Sequence, residues 1–197
     1  MAMARDEDIA LLFTDAHTHY AWLPTPVGVD ELHRLFDTFR WPPSASNAQT
    51  LRITFATSRE AKERMRPALP PHNVDKVMTA PVTAILAFDP AWWERMGELA
   101  PFRPNVRDHY ATLGAERLDT LGSHNAHIQA GYFILAARAI GLDCGPIGGF
   151  DRAIVDAAFF TDSGWRSQLL VNLGHGDPTK TMPRMPRLDF ATACRIE

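Results

Sequence analysis

Cysteine is almost missing from this chain. Only Cys144 and Cys194 occur in 197 residues, far apart and without a C-x-x-C spacing. That excludes a disulfide framework and a cysteine zinc cluster, and it fits a reducing cytoplasm. Charge of one sign is lacking too: 20 Lys and Arg against 23 Asp and Glu leave a net charge of −3, with no excess to attract nucleic acid or an anionic membrane. Long apolar runs do not occur. The opening MAMARDEDIALLF is acidic where an export signal would be basic, so neither a targeting nor a membrane segment is expected. With no repeats, no low-complexity tract and no linker, residues 1–197 are expected to form a single domain. A catalytic triad and a working pair of carboxylates are absent as well.

What is present is patterned. Leu32, Leu35, Phe36 and Phe39 recur at helical spacing within DELHRLFDTFR, with Asp30 as N-cap and Pro42 and Pro43 beyond the end. Leu51, Ile53 and Phe55 alternate with Arg52 and Thr54, predicting a half-buried strand. Ser58 caps a second helix carrying Glu60–Arg64 and Arg59–Glu63 pairs. The segment 81–89, PVTAILAFD, reads as a central strand covered on both faces. Residues 125–140 are apolar almost all round, predicting a deeply buried helix. GLDCGPIGGFD reads as a glycine-rich turn, followed by a helix capped by Asp151 and a strand within 167–176. Residues 90–120 read as a mobile, aromatic-bearing excursion, and the proline-rich tail is expected to be extended. Trp41, Trp92, Trp93 and Phe102 are candidates either for the core or for a substrate slot.

The most chemical-looking stretch is Asp15-x-His17-x-His19. Such a pattern opens several zinc hydrolases, but those need further ligands from later strand ends and a barrel of about 250 residues. The other six histidines offer no such partners at a recognised spacing, and His124 with His127 lacks an intervening Glu. A zinc hydrolase therefore stands as the alternative reading, alongside a flavin-binding protein without turnover.

Five stretches carry a different message: His17-Thr18-His19, RWPPSASNAQ at 40–49, NVDK at 73–76, CGPIGG at 144–149 and PRMPRL at 183–188. Taken together, and with long runs such as AARAIGLDCGPIGGFD, the chain resembles the flavin-dependent nitroreductase family, most closely its malonic-semialdehyde reductase-like branch, from about Phe13 to Ile196. The resemblance implies an α+β nitroreductase-like fold, with a central, mostly antiparallel sheet flanked by helices and a C-terminal extension contributing to an intertwined homodimer. It implies FMN as cofactor and NADH or NADPH as co-substrate, with a small-molecule oxidant such as a semialdehyde, quinone or nitro compound. Arg184 and Arg187 would grip the phosphate as forked, permanently charged donors, with His17, Thr18 and His19 beside it. The loop Pro43, Ser44, Ala45, Ser46 and Asn47 would offer free polar groups. Asn73 and Lys76 would meet the pyrimidine edge, and Pro146, Ile147 and Gly148 would lie over the ring. No residue is assigned as a catalytic acid, because flavin N5 would carry the hydride in a ping-pong relay. Three positions depart from the family pattern: His17 stands for Arg, Tyr20 for Asn and Thr50 for Pro.

Overall fold

Four strands form one sheet in the computed structural model, which describes residues 3–197. They are β1 (Leu51–Ala56), β2 (Val82–Phe88), β3 (Asp143–Ile147) and β4 (Arg166–Gly174). Their spatial order is β1-β2-β4-β3, with every neighbouring pair antiparallel. β2 lies inside the sheet and all of its residues are buried, as the unbroken apolar run anticipates. Alternation sorts them between two layers. Val82, Ala84, Leu86 and Phe88 join Val171 and Leu173 on one face, while Ile85 and Ala87 join Leu170 on the other.

Helices cover both faces. The chain opens with α1 (Asp6–Ile9), which runs into a π-helical turn at Ala10–Thr14, followed by α2 (Val29–Phe39). After β1 come α3 (Arg59–Met65) and α4 (Pro71–Thr79); after β2 come α5 (Met96–Leu99), α6 (Val106–Ala111) and the long α7 (Ala115–Ala139). α8 (Arg152–Phe159) precedes β4, and α9 (Phe190–Ala193) lies in the tail. Leu35 and Phe39 of α2 pack with Phe133 of α7 on the first face, and Met65, Val77 and Val155 of α3, α4 and α8 pack on the second.

Several expectations need correcting. Gly28, not Asp30, is the N-cap of α2; its N–H donates to Glu31 Oε2 at 2.8 Å, and Asp30 falls in the first turn. Residues 90–120 are not a loose excursion. Trp92, Met96, Val106 and Leu118 build a third apolar cluster, and Trp92 Nε1 donates to the Leu118 carbonyl at 3.2 Å. Trp92 is thus core, whereas Trp41 and Phe102 stand 76% and 97% exposed. α7 begins ten residues before Asn125; within one chain Ala130, Ala136 and Ala137 are covered, while Ile128 and Gly131 face outward, where burial against another subunit is expected. Of the two ion pairs foreseen on α3, Arg59–Glu63 forms at 3.8 Å, but Arg64 turns away to the Ala158 carbonyl and the Phe159 ring. CGPIGG is largely a strand, since Cys144 to Ile147 belong to β3. Proline is tolerated there because β3 is an edge. Ser58 and Asp151 do cap their helices as read, accepting from the N–H groups of Ala61 and Ile154.

Candidate cofactor site

The outer edge of β3 is occupied by the chain's own N-terminal segment. Thr18 bridges Cys144 in parallel, and His19 N–H donates to the Cys144 carbonyl at 3.0 Å. Gly145 makes this approach feasible, because a Cβ there would lie 2.5 Å from the His19 carbonyl oxygen. The segment continues along the end of β4, with Leu23 N–H donating to His175 O (2.8 Å) and Asp177 N–H to Ala21 O (3.0 Å). Residues 16–18 are thereby fixed beside the tail.

Between them lies a pocket of about 820 Å³. It is lined by His17, Thr18, Lys76, Arg184 and Arg187, so five of the sequence-predicted residues converge within one chain. Arg184 donates to the Ala16 carbonyl at 3.2 Å and lies 3.4 Å from His17 Nε2. Arg187 donates to the carbonyls of Met185 and Pro186. Lys76 is held from three sides: its ammonium donates to Asn73 Oδ1 at 3.0 Å, it lies 4.6 Å from the centre of the Tyr20 ring, and its carbonyl accepts from Asn172 Nδ2 at 2.9 Å. Asn172 is itself fixed by the Thr83 hydroxyl at 2.7 Å. Asn73 Nδ2 reaches the Gly149 carbonyl at 3.1 Å, tying the turn after β3 to the same corner.

Other predicted residues lie elsewhere. His19 is 8% exposed and faces Asp143, with Nε2 3.3 Å from Oδ1, and does not line the pocket. Ile147 buries its side chain in the core, and Gly148 is exposed. Pro43 to Asn47 also lie outside the pocket, and the polar groups there are not free as expected. Ala45 N–H donates to Asn125 Oδ1 at 2.7 Å, Ser44 Oγ accepts from Gln49 N–H, Ser46 Oγ accepts from Arg103 and Tyr110, and Asn47 Nδ2 donates to Leu99 O. Thr50, the departure from proline, donates its hydroxyl to the Gly122 carbonyl and so pins the loop's end to α7.

Among the lining residues that the sequence reading did not assign to the site are Tyr20, noted only as a departure, and Arg138, which shares the pocket wall with Ala16 and His17. The available signal for Arg138 was its place as the one charged residue in the apolar stretch 128–140.

The zinc reading loses its geometry. Among the described residues no group of three His, Cys, Asp or Glu lies close enough to hold a metal ion, and His19 is committed to Asp143. Cys144 offers no nucleophile, since burial pushes its thiol up to about 12. Among the described residues no helix is long and apolar enough to cross a membrane.

Known proteins place this architecture. The model of the Nitroreductase family matches residues 14–175. A Leptothrix cholodnii protein named "Putative NADH dehydrogenase/NAD(P)H nitroreductase" is 46% identical over 185 residues, covering 94% of this chain and 93% of the relative. A structure from Exiguobacterium sibiricum, solved in complex with FMN, superposes with a TM-score of 0.86 at 16% identity, covering 100% of both chains. A nitroreductase family protein from Streptococcus pneumoniae gives 0.82 at 18% identity, covering 94% of this chain and 98% of the other. The last two speak for the fold; the family match, spanning most of the chain, and the 46% identity speak for descent, and together they make this chain a member of the nitroreductase family.

Proposed function

We propose that the chain is an FMN-dependent NAD(P)H oxidoreductase acting on a small oxidant, a semialdehyde, quinone or nitro compound, by a ping-pong mechanism. The observation that carries this reading is the pocket's donor set. His17, Thr18, Arg184 and Arg187 surround a cavity within the usual 300–1,000 Å³ of ligand sites, and among the described residues neither arginine has a carboxylate within ion-pair distance. Forked cations without counter-ions suit a phosphate dianion. Bound FMN would supply the redox chemistry, accepting hydride at N5 from NADH or NADPH and delivering it to the oxidant.

The chain's own contribution is positioning and charge. Lys76, immobilised by Asn73 and Tyr20, would hold a fixed cation beside the ring of a bound flavin and so would favour its reduction. Asn73 would share the pyrimidine edge, and the backbone of Pro146, Ile147 and Gly148 would approach the ring.

The reading extends to a homodimer. Ser46, Asn47 and Gln49 hold φ of 53°, 57° and 43°, a left-handed conformation that non-glycine residues adopt at a cost and that clusters at binding sites. Yet this loop lies outside the pocket of its own chain, so a second copy would have to bring it to the flavin. An apolar groove of about 620 Å³ beside β1, lined by Leu32, Phe36, Phe39 and Phe55, together with the exposed Met182, Met185, Leu188, Phe190 and Ile196 of the tail, supports such an assembly.

The test is direct. Protein reconstituted with FMN should be yellow, run as a dimer by light scattering, and bleach anaerobically on addition of NADH or NADPH. Failure of both nicotinamides to bleach a bound flavin refutes the relay.

A further inference from the structure

We propose that Arg138 is a third arginine of the phosphate-binding end, beyond the pair supplied by the tail; this rests on the FMN reading above. Three observations converge on it. Arg138 lines the 820 Å³ pocket and also a smaller cavity of about 300 Å³, and the residues common to both are Ala16, His17 and Arg138 itself. It therefore stands in the wall next to His17, at the end where Arg184 also lies. Secondly, its guanidinium is underused. NH1 donates to the Leu12 carbonyl at 2.8 Å, Nε is buried with no partner, and among the described residues no carboxylate pairs with it. Thirdly, it rises from α7, a rigid 25-residue helix, instead of from the tail.

A partly buried guanidinium with an unsatisfied donor and no counter-ion is costly to the fold, and an anion in the adjoining pocket removes that cost. Arg184 likewise meets only the Ala16 carbonyl and the His17 ring nitrogen, and Arg187 only the carbonyls of Met185 and Pro186, so among the described residues the three cations share the lack of a carboxylate partner. Lys180 differs, being paired with Asp177 at 3.9 Å. Asp15 and Asp143 also line the small cavity, but neither forms an ion pair with Arg138. The pocket thus carries permanent charge on a rigid element, beside His17.

Riboflavin lacks the phosphate and separates this role from a structural one. Affinities for FMN and for riboflavin are measured by fluorescence quenching on flavin-free wild type and Arg138→Gln. The variant should bind FMN about tenfold or more weakly, the loss expected of a charge-assisted hydrogen bond, while its riboflavin affinity stays within about twofold. An equal loss for both flavins would mean that Arg138 only anchors Leu12 and overturns the proposal. Unchanged FMN affinity overturns it as well. Should Arg138→Gln fail to fold, Arg138→Lys carries the same comparison, with a smaller FMN-selective loss expected and a parallel loss decisive against. Wild type that binds neither flavin would sink the FMN reading itself, a result distinct from any difference between variant and parent.

Discussion

Adding one methyl group at Gly145 should dislodge the segment that presents His17. The new Cβ would lie 2.5 Å from the His19 carbonyl oxygen, 3.4 Å from Trp22 Cζ2 and 3.5 Å from Asn172 Cβ. The first of these atoms is backbone and cannot rotate away. Either β3 or residues 18–19 must shift, losing the His19–Cys144 hydrogen bond at about 1 kcal/mol and straining the packing by about 1–3 kcal/mol. Restricting the unfolded chain returns about 0.4–1 kcal/mol. The net cost is about 2 kcal/mol, or roughly 4–8 °C in melting temperature for a chain of this size. FMN affinity should fall with it, because His17 and Thr18 move as one with His19. Gly148→Ala is the control: nothing lies within 4 Å of its Cβ position, so stability should change by less than about 0.5 kcal/mol. Its FMN affinity should nevertheless fall if the backbone there lies against the ring. Thermal unfolding of the flavin-free proteins followed by FMN titration reads both. A Gly145→Ala protein as stable as the parent would refute the reasoning about the strand edge.

Three further outcomes are expected. Since burial raises the Cys144 thiol from 9.0 to about 12, the unfolded chain loses this proton first on alkalinisation. Stability should then fall between those values by up to about 1.4 kcal/mol per pH unit, and Cys144→Ala should remove that slope in alkaline urea titrations. In the native protein at pH 8 a thiol reagent should modify the exposed Cys194 alone, and rapid loss of both thiols would contradict the burial. Replacing His17 by Arg should tighten FMN binding, because a guanidinium offers a forked, permanently charged donor pair to a phosphate; an unchanged affinity would remove His17 from the phosphate site.

Much of the fold was legible because its signals are local. Alternation at 51–55 and the apolar run at 81–89 correspond to β1 and β2, and the Ser58 and Asp151 caps form as read. What was not legible depended on distant partners. Nothing near residue 144 in the sequence announces that residues 143–147 will pair with β4 as a strand, or that residues 18–19 will bridge its outer edge. Nor does composition reveal that Trp92 will close a cluster over Leu118 and make 90–120 firm. At the candidate site, His17, Thr18, Lys76, Arg184 and Arg187, named through the family resemblance of five ordered stretches, line one pocket. Arg138 was missed because a lone arginine in an apolar helix belongs to no motif and acquires a neighbourhood only once Ala16 folds beside it. The Pro43–Asn47 stretch was legible as a loop, but the commitment of its polar groups to Asn125, Leu99 and Arg103 depended on the packing of α5 to α7.

The two margins of the sheet are unequal. β3 is blocked by residues 18–19 and by Pro146, which has no N–H to give, whereas β1 pairs with β2 alone among the described strands. Each molecule therefore has a single strand-accepting valence. Growth by edge addition stops once that valence is filled, so overproduced protein should yield small, finite particles and not fibres.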